Sequence, residues 1–107
     1  MSEWNTIYNL DKEIVGLFSH GVAWTKKDRV RLGEYDDDFV YDNEMSVVAK
    51  ICEGTVLDII GETIGKIVGR DLFIADKKVG SFIGYECAGA AAIVLLFSKY
   101  SPVFHNK

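Results

Sequence analysis

Acidic and aromatic side chains alternate between positions 34 and 44, and this run is the segment of the chain best suited to bind another molecule. It holds six of the sixteen Asp and Glu residues and no Lys or Arg. Its candidate partner-binding residues are Glu34, Tyr35, Asp36, Asp37, Asp38, Phe39, Tyr41, Asp42 and Glu44. Carboxylates speed the encounter with a basic protein, and aromatic rings supply the anchors of an interface. The run therefore predicts either a surface for a basic protein partner or a solvated acidic loop.

A calcium loop is a third interpretation of this run, and its spacing argues against that interpretation. Asp36, Asp38 and Glu44 do not follow the D-x-D-x-D-G pattern of such loops. Tyr41 also stands at the sixth position, where the sharp turn of the loop needs glycine. We therefore predict no metal site in this run.

The cysteines and histidines could supply nucleophilic or metal chemistry, but they are few and widely spaced. Cys52, Cys87, His20 and His105 are the only ones in the sequence, without the close spacing of a zinc site. The sequence also contains no G-x-S-x-G, H-E-x-x-H, C-x-x-C or Walker-type motif. We therefore predict a non-enzymatic protein without a cofactor or metal, in which the cysteines are small buried hydrophobes and His20 lies in a solvated loop.

Length and charge limit the class of protein further. A chain of 107 residues with 49% hydrophobic residues and a single proline predicts one folded domain over 1–107. The formal net charge of -4 disfavours nucleic acid as a partner, because phosphate binding needs a surplus of Lys and Arg. Residues 34–44 contribute -6, so the rest of the chain carries +2. The acidity is therefore local.

A basic cluster at 26–31, KKDRVR, lies just before the acidic run. On an adjoining strand it would neutralise those acids, and it is too small to bind nucleic acid alone. The two cysteines are too few for a disulfide scaffold. The first residues, MSEWN, lack the basic and apolar regions of a signal peptide, so we expect a cytoplasmic location.

An internal repeat of 15 residues indicates the secondary structure that positions these side chains. Its two copies are TVLDIIGETIGKIVG at 55–69 and RDLFIADKKVGSFIG at 70–84. Each unit has the form of a β-hairpin: a β-branched run, a polar turn, a second run and a closing glycine. The stretch 40–54 matches more loosely. Strands are predicted near 13–18, 29–34, 46–51, 55–60, 63–68, 71–75 and 78–83. The tight turns are predicted at 61–62 and 76–77.

Two glycines, Gly65 and Gly80, fall inside these predicted strands. A glycine within a strand indicates a bulge, or a place where another backbone or a ring packs closely. Residues 86–98, ECAGAAAIVLLFS, favour a helix through their alanines, with a final strand over 93–97 as the alternative. The apolar run is too short to cross a bilayer.

Together these features predict an α+β fold that is mostly β. The predicted architecture is an antiparallel meander or small sandwich of about six to eight strands built from hairpin repeats. The C-terminal helix would cover one apolar face of this sheet.

The stretch GETIGKIVGRDLFIADKKVGSFIGYE, followed by AGAAAIVLLF, is similar to the glycine-spaced β-meanders of bacterial immunity proteins. Those families include the partners of contact-dependent growth inhibition toxins and other polymorphic toxins. The resemblance covers roughly 55–97 and implies a cytoplasmic inhibitor that binds a toxin domain and covers its active site. Such toxins are often nucleases, whose basic clefts would suit an acidic surface.

Two other functions remain open at this point. The first is a structural or assembly module, associated with a phage or an envelope, that pairs through exposed strand edges. The second is a small-ligand barrel with Trp4 and Trp24 lining its pocket.

Overall fold

A computed structural model describes residues 4–98, and its ten strands form one closed antiparallel barrel. The strands are β1 (Asn5–Tyr8), β2 (Ile14–Ser19), β3 (Val22–Thr25), β4 (Arg31–Tyr35), β5 (Phe39–Tyr41), β6 (Val47–Cys52), β7 (Thr55–Asp58), β8 (Thr63–Val68), β9 (Asp71–Ile74) and β10 (Lys77–Ile83). A helix, α1 (Glu86–Ala92), follows the barrel and continues as a π-helical segment over Ile93–Phe97.

The barrel closes where its first strand pairs with its last. Each strand lies beside its neighbours in sequence, and β1 pairs with β10 through Thr6 with Ile83, Ile7 with Phe82 and Tyr8 with Ser81. The predicted antiparallel, mostly β fold with a C-terminal helix is therefore confirmed. The strands follow one another as in the predicted meander, but the sheet is a closed ten-stranded barrel and not an open meander or a sandwich, because pairing of the two terminal strands removes both edges.

Several strands match their predicted positions, and others were missed. β8 has the predicted bounds, and β2, β4, β6, β7, β9 and β10 lie within two residues of theirs. β1, β3 and β5 have no counterpart among the predicted strands. The prediction of six to eight strands was too low because these three are only three or four residues long.

Short turns connect most of the strands. His20–Gly21, Glu53–Gly54 and Ala75–Asp76 each have two residues with positive φ, as a type I′ hairpin turn requires. The predicted turn at 76–77 is therefore one residue too late. The predicted turn at 61–62 is the end of a longer turn over 59–62, closed by the Asp58 N–H donating to the Glu62 carbonyl at 2.8 Å.

The alternation of strand direction places the connections at two ends of the barrel. The helix-entry end carries the turns at 20–21, 36–38, 53–54 and 69–70, and also Gly84 and Tyr85, which lead into α1. The helix-exit end carries the turns at 9–13, 26–30, 42–46, 59–62 and 75–76. The chain leaves the described part of the structure at Ser98, on the helix-exit end, so Pro102 and His105 lie outside the described residues.

The C-terminal helix lies inside the barrel instead of against one face. Eight consecutive residues, Ala88 to Leu95, are all buried, so the helix is covered on every side. The helical segments also contact strands on opposite walls, including β2, β4, β8 and β10. The prediction that 86–98 is helical is confirmed, whereas the prediction that it covers one face is wrong. A segment with no polar face is stable only when it is enclosed.

Inward-facing glycines make room for the large residues of the helical segments. A Cβ on Gly80 would lie 2.9 Å from Cζ of Phe97, and one on Gly65 would lie 2.9 Å from Cγ2 of Ile93. The strand pairing shifts register next to both glycines. Bulges and close approach, as predicted for Gly65 and Gly80, are therefore both confirmed.

The first turns of the helix reverse this relation. There the residues of the helix have small side chains or none. A Cβ on Gly89 would lie 2.9 Å from Cε1 of the buried ring of Phe82. Small helix residues thus face large barrel residues at the helix-entry end, and large helix residues face glycines further along. This matching fills the lumen at the packing density of a protein core.

Gly80→Ala should destabilise the barrel by about 1–3 kcal/mol, because overpacking a filled core forces neighbouring atoms to shift. Gly80 has an ordinary φ, so alanine strains nothing but the contacts with Phe97 and the Tyr8 carbonyl. The free energy of unfolding in urea measures this effect. Ser81→Ala, next to it on the same strand, is the control and should change stability by less than about 0.5 kcal/mol. Equal stability of the two variants would contradict the close packing of Phe97 and the Tyr8 carbonyl around Gly80.

Candidate binding site at the helix-entry end

The structure divides the acidic run between the two ends of the barrel. The β4–β5 turn places Asp36, Asp37 and Asp38 at the helix-entry end. The β5–β6 turn places Asp42 and Glu44 at the helix-exit end. These two groups are separated by the length of β5, so they lie at opposite ends of the barrel.

Asp36 closes its own turn. Its Oδ1 accepts hydrogen bonds from the N–H groups of Asp38 at 2.8 Å and Phe39 at 2.7 Å, and its Oδ2 accepts from the Tyr41 hydroxyl at 2.8 Å. Desolvation would raise the pKa of Asp36, but the hydrogen bonds from Asp38, Tyr41 and Phe39 outweigh it and lower that pKa. This carboxylate therefore has a structural role in the turn.

Tyr35 is a core residue and is not available as an interface anchor. Its side chain is buried, with its ring centroid 5.9 Å from that of Phe18. Burial is the main cause that raises the pKa of Tyr35 to about 12. Phe39 and Tyr41 lie on the outer wall instead, with ring centroids 6.4 Å apart.

The remaining acids of the run have different surroundings. Glu34 forms an ion pair with Arg31, as expected if the basic cluster neutralises part of the acidic run. Asp42 closes the β5–β6 turn, since its Oδ1 accepts from the N–H groups of Glu44 and Ser46 at 2.9 Å each. Asp37, Asp38 and Glu44 are exposed.

Two adjoining hollows open at the helix-entry end beside the β4–β5 turn. One, of about 360 Å³, is lined by Asn5, His20, Gly21, Tyr35, Asp36, Asp37, Tyr85 and Cys87. The other, of about 450 Å³, is lined by Asp37, Ile51, Tyr85, Glu86 and Cys87. Asp37, Tyr85 and Cys87 line both hollows, so these three residues stand at the centre of the end surface.

Further acids surround the hollows. Glu86 begins α1, and its Oε2 lies 3.8 Å from the position of a Cβ on Gly54, which brings it beside the β6–β7 turn that carries Glu53. The Ile51 N–H donates to the Asp38 carbonyl at 2.8 Å, so the β4–β5 turn adjoins the same region. The end therefore gathers five carboxylates from three separate segments: Asp36, Asp37, Asp38, Glu53 and Glu86.

Sequence reasoning missed Glu53, Tyr85 and Glu86 as members of this surface. Tyr85 is 63% exposed, and it stands over both hollows as an aromatic residue without a core role. Local spacing gives no signal for these residues, because the barrel brings them together from distant parts of the chain. His20 lies in an exposed turn, as predicted, with its Nδ1 2.8 Å from Ser19 Oγ.

The surroundings of the Cys87 thiol disfavour its thiolate form. Desolvation by burial, followed by the negative charge of Asp37, raises the pKa of Cys87. A protonated thiol donates to a carboxylate and is a poor nucleophile. The geometry of the hollows is therefore suited to binding cationic groups, and it does not activate this cysteine.

Among residues 4–98, no three His, Cys, Asp or Glu side chains converge in a way that could hold a metal ion. The described helices include none with the length and apolar character needed to cross a membrane. Comparisons with protein-family models, with curated proteins and with solved structures found no match.

Asp37→Asn should speed the alkylation of Cys87 a few-fold at pH 8, because removing the carboxylate charge lowers the thiol pKa and increases the thiolate fraction. The measurement is the labelling rate by mass spectrometry in a Cys52→Ser background, where Cys87 is the only thiol. Asp38→Asn is the matched control and should leave the rate unchanged. An unchanged rate in Asp37→Asn would show that this carboxylate does not act on the thiol.

Proposed function

We propose that the protein is a non-enzymatic inhibitory binding protein whose helix-entry end covers a basic surface of a toxin domain. The observation that supports this is the gathering of five carboxylates at the helix-entry end, three of which, Asp36, Asp37 and Glu86, line the two hollows together with the exposed Tyr85. A recessed acidic surface with an exposed aromatic ring is complementary to Lys and Arg side chains.

The contact surface proposed here therefore differs from the one that sequence spacing predicts. Asp37, Asp38 and Glu86 are exposed at the helix-entry end and form its rim. Asp42 and Glu44 lie at the opposite end of the barrel and do not line the hollows. Tyr85 replaces Tyr35 as the aromatic anchor, because Tyr35 is buried.

The resemblance of residues 55–97 to immunity proteins is the reason for proposing a toxin domain as the partner. Within this proposal the partner is a toxin domain with a basic active-site cleft, such as that of a nuclease. The barrel end would enter the cleft and exclude the substrate. The rigid, fully paired scaffold favours such a role, since little ordering of the inhibitor would be needed on binding.

The alternative of an assembly module receives less support. Pairing through strand edges requires a strand with unpaired backbone groups along one side. Within residues 4–98, each of the ten strands has a neighbour on both sides. A small-ligand barrel is disfavoured too, because the helix fills the lumen and Trp4 and Trp24 lie on the outside.

Asp38→Lys combined with Glu86→Lys should weaken binding to the toxin domain by at least about tenfold, mainly through slower association at low salt. The test measures binding, and rescue of growth, with the toxin domain encoded by the neighbouring gene. Asp36 is left unchanged because it closes its turn.

The control for this experiment is Glu44→Lys, an exposed charge reversal at the helix-exit end. It should leave binding and rescue as in the unchanged protein. If the wild-type protein gives no rescue, the proposed function is wrong. If Glu44→Lys lowers affinity as much as the helix-entry variant, the proposed surface is wrong.

A further inference from the structure

A second surface lies on the outer wall of the barrel and carries the opposite charge. It consists of Trp4, Trp24 and the cationic residues Lys26, Lys27 and Arg29 of the β3–β4 turn. The two indole rings have centroids 5.6 Å apart at an interplanar angle of 54°. The guanidinium carbon of Arg29 lies 5.7 Å from the centroid of the Trp4 ring. These residues take part in none of the contacts described above for the helix-entry end.

The turn that carries Arg29 is fixed by backbone hydrogen bonds. The Thr25 N–H donates to the Val30 carbonyl at 2.9 Å, and the Val30 N–H donates to Thr25 Oγ1 at 2.9 Å. The Lys26 N–H also donates to the Val15 carbonyl on β2 at 2.9 Å. Arg29 is therefore positioned over Trp4 by an ordered turn.

The charge of this surface is not neutralised within the described part of the chain. Ion pairs there involve Arg31, Lys66 and Lys78, and none involves Lys26, Lys27 or Arg29. Both lysines and Arg29 are exposed. Asp28 is the one acid in the same turn. The turn therefore presents an excess of positive charge beside two tryptophans.

A guanidinium stacked on an aromatic ring keeps the N–H groups at its edge available. Those groups match the two oxygens of a carboxylate and can donate to both at once. The cation–π contact with Trp4 also favours this position of Arg29 before any ligand arrives, which lowers the entropy cost of binding. This geometry suits a carboxylate, with Lys26 and Lys27 attracting further negative charge.

We propose that the Trp4–Trp24–Arg29 surface binds an acidic segment of a protein partner, with Arg29 holding a carboxylate. Protein is favoured over single-stranded nucleic acid because nucleobases need an open aromatic face. Arg29 covers one face of Trp4, and Trp24 packs at an angle beside it. The overall net charge of -4 also opposes binding a long polyanion. None of the residues of this surface lines the hollows proposed to bind the toxin domain.

The two tryptophans of this surface are the only ones in the sequence, so selectively excited tryptophan fluorescence reports on it alone. Titration of the full chain with hexaglutamate at low salt should give a saturable change in tryptophan emission. Arg29→Gln should weaken this binding about tenfold, and Arg29→Lys should weaken it less, because an ammonium cannot donate to both carboxylate oxygens in one plane. Arg70→Gln, an exposed arginine elsewhere, is the matched control and should bind as the wild type does.

Several results would overturn this proposal, each measured with far-UV circular dichroism as a check on folding. The absence of a saturable change at millimolar hexaglutamate would overturn it, as would equal affinity of Arg29→Gln and wild type. Tighter binding of oligothymidylate with the same number of charges would assign the surface to nucleic acid. Emission that changes with protein concentration alone would assign it to a second copy of the chain.

Discussion

The filling of the barrel by its own C-terminal helix is the constraint on which the rest of the structure depends. A ten-stranded barrel is too wide for its inward side chains to meet across the axis, particularly where those residues are glycine or alanine. An empty lumen would forfeit the packing contacts of every inward side chain. Residues 88–95 supply the missing atoms and are themselves buried on all sides. Barrel and helix therefore stabilise each other, and neither has a complete core alone.

Much of the fold could be predicted from local patterns. The β-branched runs and glycine-ended hairpins located most of the strands, and the alanines of 88–92 indicated a helix. Closure could not be predicted, because the pairing of Ile7 with Phe82 joins segments at opposite ends of the described chain. The sequence of the helix does, however, indicate its enclosed position. A run from Ala88 to Phe97 without a polar face fits the inside of a barrel better than the surface of a sheet.

The candidate site was predictable only in part, because it too is formed by residues that are far apart in the sequence. The acidic run identified Asp37 and Asp38, which lie on the helix-entry end. It also included Asp42 and Glu44, because spacing along the sequence does not show that the short strand β5 carries the chain across the barrel. Glu53 and Glu86 join the surface through contacts made by other segments. Asp36, whose side chain accepts three hydrogen bonds, closes its turn, and Tyr35 is buried, so neither is suited to contact a partner.

Nuclear Overhauser effects from the helix to both walls of the barrel test the enclosed helix most directly. Ile93 contacts Gly65 on β8, and Leu95 contacts Gly33 on β4, with a Cβ on Gly33 falling 3.1 Å from the nearest Leu95 methyl carbon. We expect cross-peaks from the Ile93 methyl to the Gly65 Hα and from the Leu95 methyls to the Gly33 Hα in the same spectrum. Cross-peaks to adjacent strands of one wall only would place the helix outside and contradict the enclosed arrangement.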